Sequence, residues 1–430
     1  MYRQTAQLSS RSQDWQDYRQ NYFCDLPVTC AGTPAAPPAF SISMKPLNLT
    51  RLLAAILVSA ALAGAVPPHA ARAAEPAPWV TAYYPVWEQA GGMSPDKIDF
   101  SAITHLVHFS ITPRADGTIE DSVHGSVNAI TPAQSADVVP RAHKAGDKVL
   151  VCLGGAESGP AIRAAIAGPV RGVFIQNLIA FIKERGYDGI DVDMEPILPA
   201  DEPPLVLFVR ELRAAMKAVN PKWLLTFPAS GDQAKIAAQL QDDFDQINIQ
   251  TYDLSGPWEG WKTWYNGPLY GEGKTLLTAA RPYPSVDEKV GEYLAAGVPK
   301  AKLGIGIAFY GCVWNGANGP TQPIQGVTMD KLAYSAILDR YDKPGAYHWD
   351  AVAHAPYFRV GTDTDPARKF VSFDDARLAR EKVLYARTHG LGGVIIWELG
   401  GGYRDSQPAG QKDALLQAVS AARGPLATGQ

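Results

Sequence analysis

The chain has 430 residues, 46% of them hydrophobic and 19% charged, with a formal net charge of -4. That length and apolar fraction support a large α/β fold around a real core. The slight negative balance leaves no basic stripe of the kind a phosphate backbone requires, so nucleic acid is not an expected partner and a neutral ligand suits the surface better.

In chain order, the first strong feature begins at Met44. Lys45 and Arg51 precede an almost wholly apolar run, Leu52 to Val66, and Ala71-Arg72-Ala73 has the small-x-small form of a signal peptidase site. The run is about 15 residues, short of the ~20 that span a bilayer, so a cleaved secretory signal over 44–74 is expected, with no stable membrane association afterwards. An export signal acts at an N-terminus, so translation is expected to start at Met44, and 1–43 reads as a non-native or disordered extension. The mature protein should be secreted or periplasmic. It keeps two cysteines, Cys152 and Cys312, which lie in strand-like contexts and read as buried free thiols despite an oxidising destination.

From Trp79 short apolar or β-branched runs alternate with longer helical stretches. The runs are Trp79 to Val86, His105 to Thr112, Lys148 to Gly155, Gly189 to Glu195, Leu224 to Ser230, Phe244 to Asp253, Leu303 to Gly311 and Gly393 to Gly400. Between them lie helices such as Val170 to Arg185, with Val173, Phe174, Leu178, Phe181 and Ile182 as its apolar face. Eight strands so interleaved predict an α/β fold, a closed (β/α)8 TIM barrel over 75–424. The stretch 313–371 is too long for one loop and helix. It reads as a small α+β insertion between the seventh and eighth strands, with a helix over Met329 to Tyr341 and strand-like pieces near Tyr347 and Tyr357. The tail after Leu415 is Ala/Gly-rich and should fray beyond the last helix. Of His105 and His108 in the second strand, at least one reads as a satisfied core histidine.

The most informative stretch is Asp188-Gly189-Ile190-Asp191-Val192-Asp193-Met194-Glu195-Pro196. A barrel strand buried on both faces should be continuously apolar. Here Ile190, Val192 and Met194 hold one face while Asp191, Asp193 and Glu195 share the other with a two-residue period. Like charges crowded in a buried site disfavour full ionisation, so a proton should be retained near neutral pH, which is what a general acid needs. Barrel active sites lie at the C-terminal strand ends, so Glu195, outermost and followed by Pro196, is the expected proton donor. Asp193 lies beneath it and Asp191 deeper, tuning Asp193. Asp188 is out of phase and suits a backbone bond at the strand entry. Two carboxylates flanking a scissile bond normally come from opposite sides. Residues two apart on one strand cannot do that, but a substrate that carries its own nucleophile, a 2-acetamido carbonyl, removes the difficulty. A calcium loop is disfavoured because Ile, Val and Met, rather than turn residues and glycine, separate the acids. Structural ion pairing is disfavoured because no basic residue occurs in the neighbouring strand cores. No HExxH, paired CxxC or GxSxG is present, and neither a metal nor another cofactor is expected.

Asp188, Asp191, Asp193 and Glu195 match all four positions of DxxDxDxE, and at this point the sequence resembles glycoside hydrolase family 18, which holds many chitinases and some endo-β-N-acetylglucosaminidases. The resemblance runs from Trp79 to about Ala421. Cys152-Leu153-Gly154-Gly155 is similar to the family's SxGG with cysteine for serine, and Gly155 is counted among the substrate contacts. Gln250-Thr251-Tyr252-Asp253 is similar to MxYD with glutamine for methionine. The resemblance implies that Tyr252 holds the acetamido carbonyl in line with the anomeric carbon, that Asp253 bonds the sugar and that Gln250 faces the substrate. Phe309-Tyr310-Gly311-Cys312 is similar to fYGR, with cysteine for arginine. Trp397, before Glu398, is implied to lie beneath the sugar, where an indole face suits the C–H side of a pyranose. Trp258, in a loop with Trp261 and Trp264, is expected at a sugar-binding rim, and Tyr83 is taken as a further sugar contact, with Tyr84 and Trp87 beside it.

These readings predict a monomeric, metal-free, retaining chitinase that uses substrate assistance on chitin or N-acetylglucosamine oligosaccharides. The alternatives are an endo-β-N-acetylglucosaminidase acting on glycoprotein glycans or peptidoglycan-type chains, and a non-catalytic chitin-binding lectin. The lectin is disfavoured because such family members lose the acid that Glu195 retains.

Overall fold

The computed structural model describes residues 77–119, 129–271 and 282–424. The stretches 44–74, expected to be a signal sequence, and 1–43 before it lie outside the described residues.

Among the described residues the fold is a closed parallel barrel. Its first seven strands are β1 (Trp79–Pro85), β2 (His105–Ile111), β3 (Lys148–Gly155), β4 (Gly189–Met194), β5 (Leu224–Ala229), β6 (Gln246–Ile249) and β7 (Leu303–Ala308). The insertion supplies β8 (Tyr310–Asn315), β9 (Thr328–Ala333), β10 (Tyr347–Asp350), β11 (Ala355–Val360) and β12 (Lys369–Phe373). The eighth barrel strand, β13 (Gly393–Trp397), pairs with both β7 and β1 and closes the ring. The alternation of strand and helix forces this outcome, since each helix covers the outer face of the strands it connects.

The helices are α1 (Pro132–Ala145), α2 (Gly159–Ala165), α3 (Gly168–Arg185), α4 (Glu202–Val219), α5 (Ala234–Leu240), α6 (Val286–Ala295), α7 (Tyr334–Tyr341), α8 (Ala376–His389) and α9 (Ala414–Arg423). Their ends follow local chemistry. Thr131 and Gln134 cap α1 reciprocally, Pro132 occupies its first turn, and Gly146 ends it at φ 91°. On α3 the buried face is Phe174, Ile175, Leu178, Phe181 and Ile182, whereas Val173 is 49% exposed. Val173 lies about 100° around the helix from Phe174, which turns it away from the barrel.

Several boundaries differ from the sequence reading. The sixth strand ends at Ile249, because Asp253 adopts φ 55° and the chain leaves the ladder ahead of it. The run Leu303 to Gly311 is two strands, split at Phe309 between barrel and insertion. Met329 to Tyr341 begins as strand rather than helix: β9 pairs antiparallel with β8, and that edge pairing overrides a locally helix-compatible sequence before α7 starts. The insertion sheet, ordered β10-β11-β12-β8-β9, runs from Tyr310 to Phe373, beyond 313–371 at both ends. The last helix runs to Arg423, and the tail from 425 lies outside the described residues. The helix α9 buries Leu415, Leu416, Val419 and Ala422, and Asp413 accepts the Leu416 N–H at its start.

Three cores result. One lies between strands and helices, one where the insertion's Trp314 and Phe370 pack with Trp264 from the segment after β6, and one inside the barrel around Tyr83, Val107, Phe109, Leu150, Cys152 and Tyr252. His108 is a satisfied core histidine, bonded to Tyr187 and Gln89, and burial pushes its imidazole down to about 3. Cys152 and Cys312 are free and buried.

Candidate active site

Bonds between non-adjacent strands fix which way β4 faces. Tyr83 on β1 donates from its hydroxyl to Asp191 Oδ2 at 2.8 Å. Those strands are not neighbours in the barrel, so the bond crosses the lumen and the Asp191 side chain points inward. Thr226 on β5 donates to its other oxygen at 2.5 Å. Burial raises the Asp191 carboxyl to about 6, against the pull of these donors and of Cys152.

Asp193 is next along the same face. Its carboxyl is pushed well above the ordinary range by burial, then by the charges of Glu195 and Asp191, and a hydrogen bond with Glu195 further favours a retained proton. Among the described residues Asp193 Oδ1 is buried without a hydrogen-bond partner. The Cys152 thiol is 4.0 Å from Oδ2, a weak partner at most. Gly154 makes room for the strand: at φ 112°, a Cβ there would sit 2.1 Å from the Asp193 carbonyl oxygen.

Glu195 lies just past the end of β4 and is half-buried. Its backbone is held by Ser158, whose Oγ accepts the Glu195 N–H at 3.3 Å and donates to the Asp193 carbonyl at 3.0 Å. Gln250 donates from Nε2 to Glu195 Oε1 at 2.8 Å. The peptide bonds Glu195–Pro196, Trp397–Glu398 and Phe109–Ser110 are cis.

Tyr252 completes the cluster. Its phenol is pushed well above its ordinary range by burial and then by Asp193, Glu195, Asp253 and Asp191, so it is a neutral donor across the working pH range. Gly306 on β7 admits the ring, since a Cβ there would stand 2.7 Å from it. Asp253 is bonded to Lys331 of the insertion at 2.6 Å and donates its N–H to Asn266 at 2.9 Å. Trp397 forms the inner floor, edge-on to Phe109 at 4.8 Å and tilted against Tyr83 at 5.5 Å.

Some candidates occupy other places than sugar contact requires. Tyr83 is buried, and its hydroxyl is taken by Asp191, so it braces the strand. Tyr84 stacks on His108 and donates to the Met93 carbonyl, in the outer core. Gly155 at φ 106° serves packing, because a Cβ would strike the Phe109 ring at 2.3 Å. Gln250 points at Glu195. Trp258 rests edge-on against Trp261 at 4.5 Å, and Trp264 is core. Trp87 is 43% exposed and stands 6.4 Å from Trp397. Asp188 lies outside the site: it accepts the Val149 N–H at 2.9 Å, beside His143 and Lys148.

Two features had weak sequence signals. Thr226 is the polar residue in Leu224–Ala229, legible only once β5 is known to flank β4 in register with Asp191. Glu398 accepts from Trp87 Nε1 at 3.4 Å and is raised to about 8 by burial and the nearby charge of Glu88, a pairing of chain ends that no spacing reveals. Among the described residues no group of three or more His, Cys, Asp or Glu side chains converges as a metal ion would need.

Comparison with known proteins agrees with this geometry. The model of the glycosyl hydrolases family 18 matches residues 80–402. Chitinase A1 of Niallia circulans is 29% identical over 273 residues, covering 55% of this chain and 38% of that protein. Chitinase 1 of Aphanocladium album is 28% identical over 352 residues, covering 74% and 80%. The Group IV chitinase of Ostrinia furnacalis shares the fold, with a TM-score of 0.65 at 24% identity over 80% of this chain and 99% of that one. A barrel whose fourth strand carries these acids inward, matched by the family model over most of its length, belongs to the glycosyl hydrolases of family 18 and is a relative of their chitinases.

Proposed function

We propose that the protein is an exported chitinase that hydrolyses β-1,4-linked N-acetylglucosamine chains with retention, using the substrate's acetamido group as nucleophile. Support comes above all from Asp191, Asp193 and Glu195 on one inward face, with a proton held between the outer two. In the proposed cycle Glu195 gives its proton to the glycosidic oxygen as the C1–O bond breaks. The acetamido carbonyl oxygen bonds to C1 from the opposite side and forms an oxazolinium ion. Asp193, having passed the shared proton to Glu195, is left as the carboxylate that accepts the amide N–H and balances the cation, while the Tyr252 hydroxyl donates to the carbonyl oxygen and orients it. Water then attacks C1 as Glu195 takes its proton, which restores the acid and gives net retention. Trp397 offers the apolar floor. The chitinase names of the relatives, and a solved Ostrinia furnacalis chitinase domain complexed with an N-acetylglucosamine oligomer at TM-score 0.67, support the substrate class.

The test is incubation with defined N-acetylglucosamine oligomers, with products resolved by length and anomer. Initial β-anomer products support the reading. Initial α-anomer products would refute substrate assistance, and cleavage of a high-mannose glycopeptide in place of the oligomers would favour an endo-β-N-acetylglucosaminidase. Export is proposed from 44–74, and N-terminal sequencing of protein recovered outside the cytoplasm tests it: a start near Ala74 agrees, and an intact signal does not.

A further inference from the structure

Gln250 leaves the end of β6 and reaches Glu195 at the end of β4, across the mouth of β5. Both partners are fixed by their backbones. The Gln250 N–H donates to the Ala229 carbonyl at 2.8 Å, and the Glu195 carbonyl accepts the Gly159 N–H at 2.7 Å. The bond from Nε2 to Oε1 is 2.8 Å long. An amide nitrogen carries hydrogens and no free lone pair, so it donates to a carboxyl oxygen and never accepts from one. A protonated carboxyl has one oxygen that carries hydrogen and one that accepts. We infer that Gln250 is a positioning residue that keeps Oε1 of Glu195 an acceptor and so assigns the transferable proton to Oε2; this rests on Glu195 being the proton donor proposed above.

The consequence is geometric. An acid free to load either oxygen presents the wrong one to the leaving group for part of the time. The same donor, 2.8 Å away, remains bonded to the carboxylate after the proton has left. The other titratable groups around Glu195 are Asp193 and, deeper, Asp191 on β4, Cys152 on β3, and Tyr252 beyond β6. None of these is cationic, so the amide is the polarising contribution of β6 to the acid.

The experiment compares wild type with Gln250→Met, of similar length but without a donor, and Gln250→Glu, of the same shape but anionic when ionised. Two substrates are used: the N-acetylglucosamine hexamer, whose leaving sugar needs a proton, and the 4-nitrophenyl glycoside of the dimer, whose leaving group departs without one. For Gln250→Met, kcat on the hexamer should fall about tenfold and kcat on the nitrophenyl glycoside less than about threefold, with KM within about twofold. The alkaline limb of kcat should move up by about 0.5 to 1 pH unit, and further in Gln250→Glu. Equal losses on both substrates, or a raised KM with unmoved limbs, would show a structural or sugar-contact role and overturn the inference. A downward move would mean that the amide turns its carbonyl to a protonated Glu195, which reverses the proton assignment. If wild type cleaves neither substrate, the functional reading itself fails and the inference falls with it.

Discussion

An acid catalyst has to keep a proton where solvent would take it, and beside Glu195 burial and like charge keep one on Asp193. Glu195→Gln should lower kcat on unactivated oligomers at least ~10²-fold, and Asp193→Asn nearly as much, by steady-state assay. The two acids differ in what they do to the fold. Asp193 holds its proton more tightly when folded than when unfolded. As pH rises from the ordinary carboxyl range, the unfolded chain releases that proton first, so this group's contribution to stability is full below that range and declines as pH climbs. Asp193→Asn has no proton to lose. It should melt about 2 °C or more above wild type at pH 8, and the gap should close towards pH 4. A variant that melts lower at pH 8 would mean that the carboxylate supports the fold rather than opposing it. Glu398, raised to about 8, works in the same direction at the other side of the mouth.

Between elements, the placement of Tyr252 depends on β7. The Gly306 carbonyl accepts from Thr251 Oγ1 at 3.1 Å and from Lys382 Nζ at 3.2 Å, and Lys382 is ion-paired to Asp374 at 2.6 Å with both side chains buried. The site tyrosine is therefore braced from behind by a pair on and beside α8. Gly306→Ala should drive a methyl into the Tyr252 ring and the Thr251 nitrogen, 2.7 and 2.9 Å away. We expect kcat to fall about tenfold or more with a lowered Tm; an unchanged kcat would show that the ring has room to move. Lys382→Met should cost about 3–5 kcal/mol in urea unfolding, because it strands the Asp374 carboxylate in an apolar site. A loss below about 1 kcal/mol would mean that Asp374 simply takes up a proton.

At the scale of the whole molecule, the barrel closes only when β13 meets β1, and α9 packs against α8 just after that closure. Arg423 at the end of α9 donates to the carbonyls of Ile103 and Ser101, tying the C-terminal end to the start of β2. Removing 414–430 takes away Leu415, Leu416 and Val419 and exposes the apolar surface they cover, a loss of about 1.5–3 kcal/mol for each buried side chain. That sum rivals the ~5–15 kcal/mol by which a typical domain is stable, so the truncated chain should be insoluble or lack a cooperative melt. A soluble, active truncation would show that α9 is dispensable.

The order of eight strands and the inward trio on β4 were legible from the sequence, because a two-residue period and an apolar–polar switch are local properties that survive any packing. The same holds for Asp188, whose phase alone set it apart from the trio. The position of α9 and the strand character of Met329 to Ala333 were not, since both depend on a partner far along the chain. Nor were the contacts of Tyr83, Gly155 and Gln250 within the protein. An aromatic ring for Tyr83 and the family resemblance for Gly155 and Gln250 suggested sugar contact, but each meets a neighbour from another part of the barrel, Asp191, Phe109 and Glu195 respectively. The sequence alone determined which acids share one face of β4. Only the closed barrel decided what each touches, because closure brings strands that are not neighbours in the sheet face to face across one lumen.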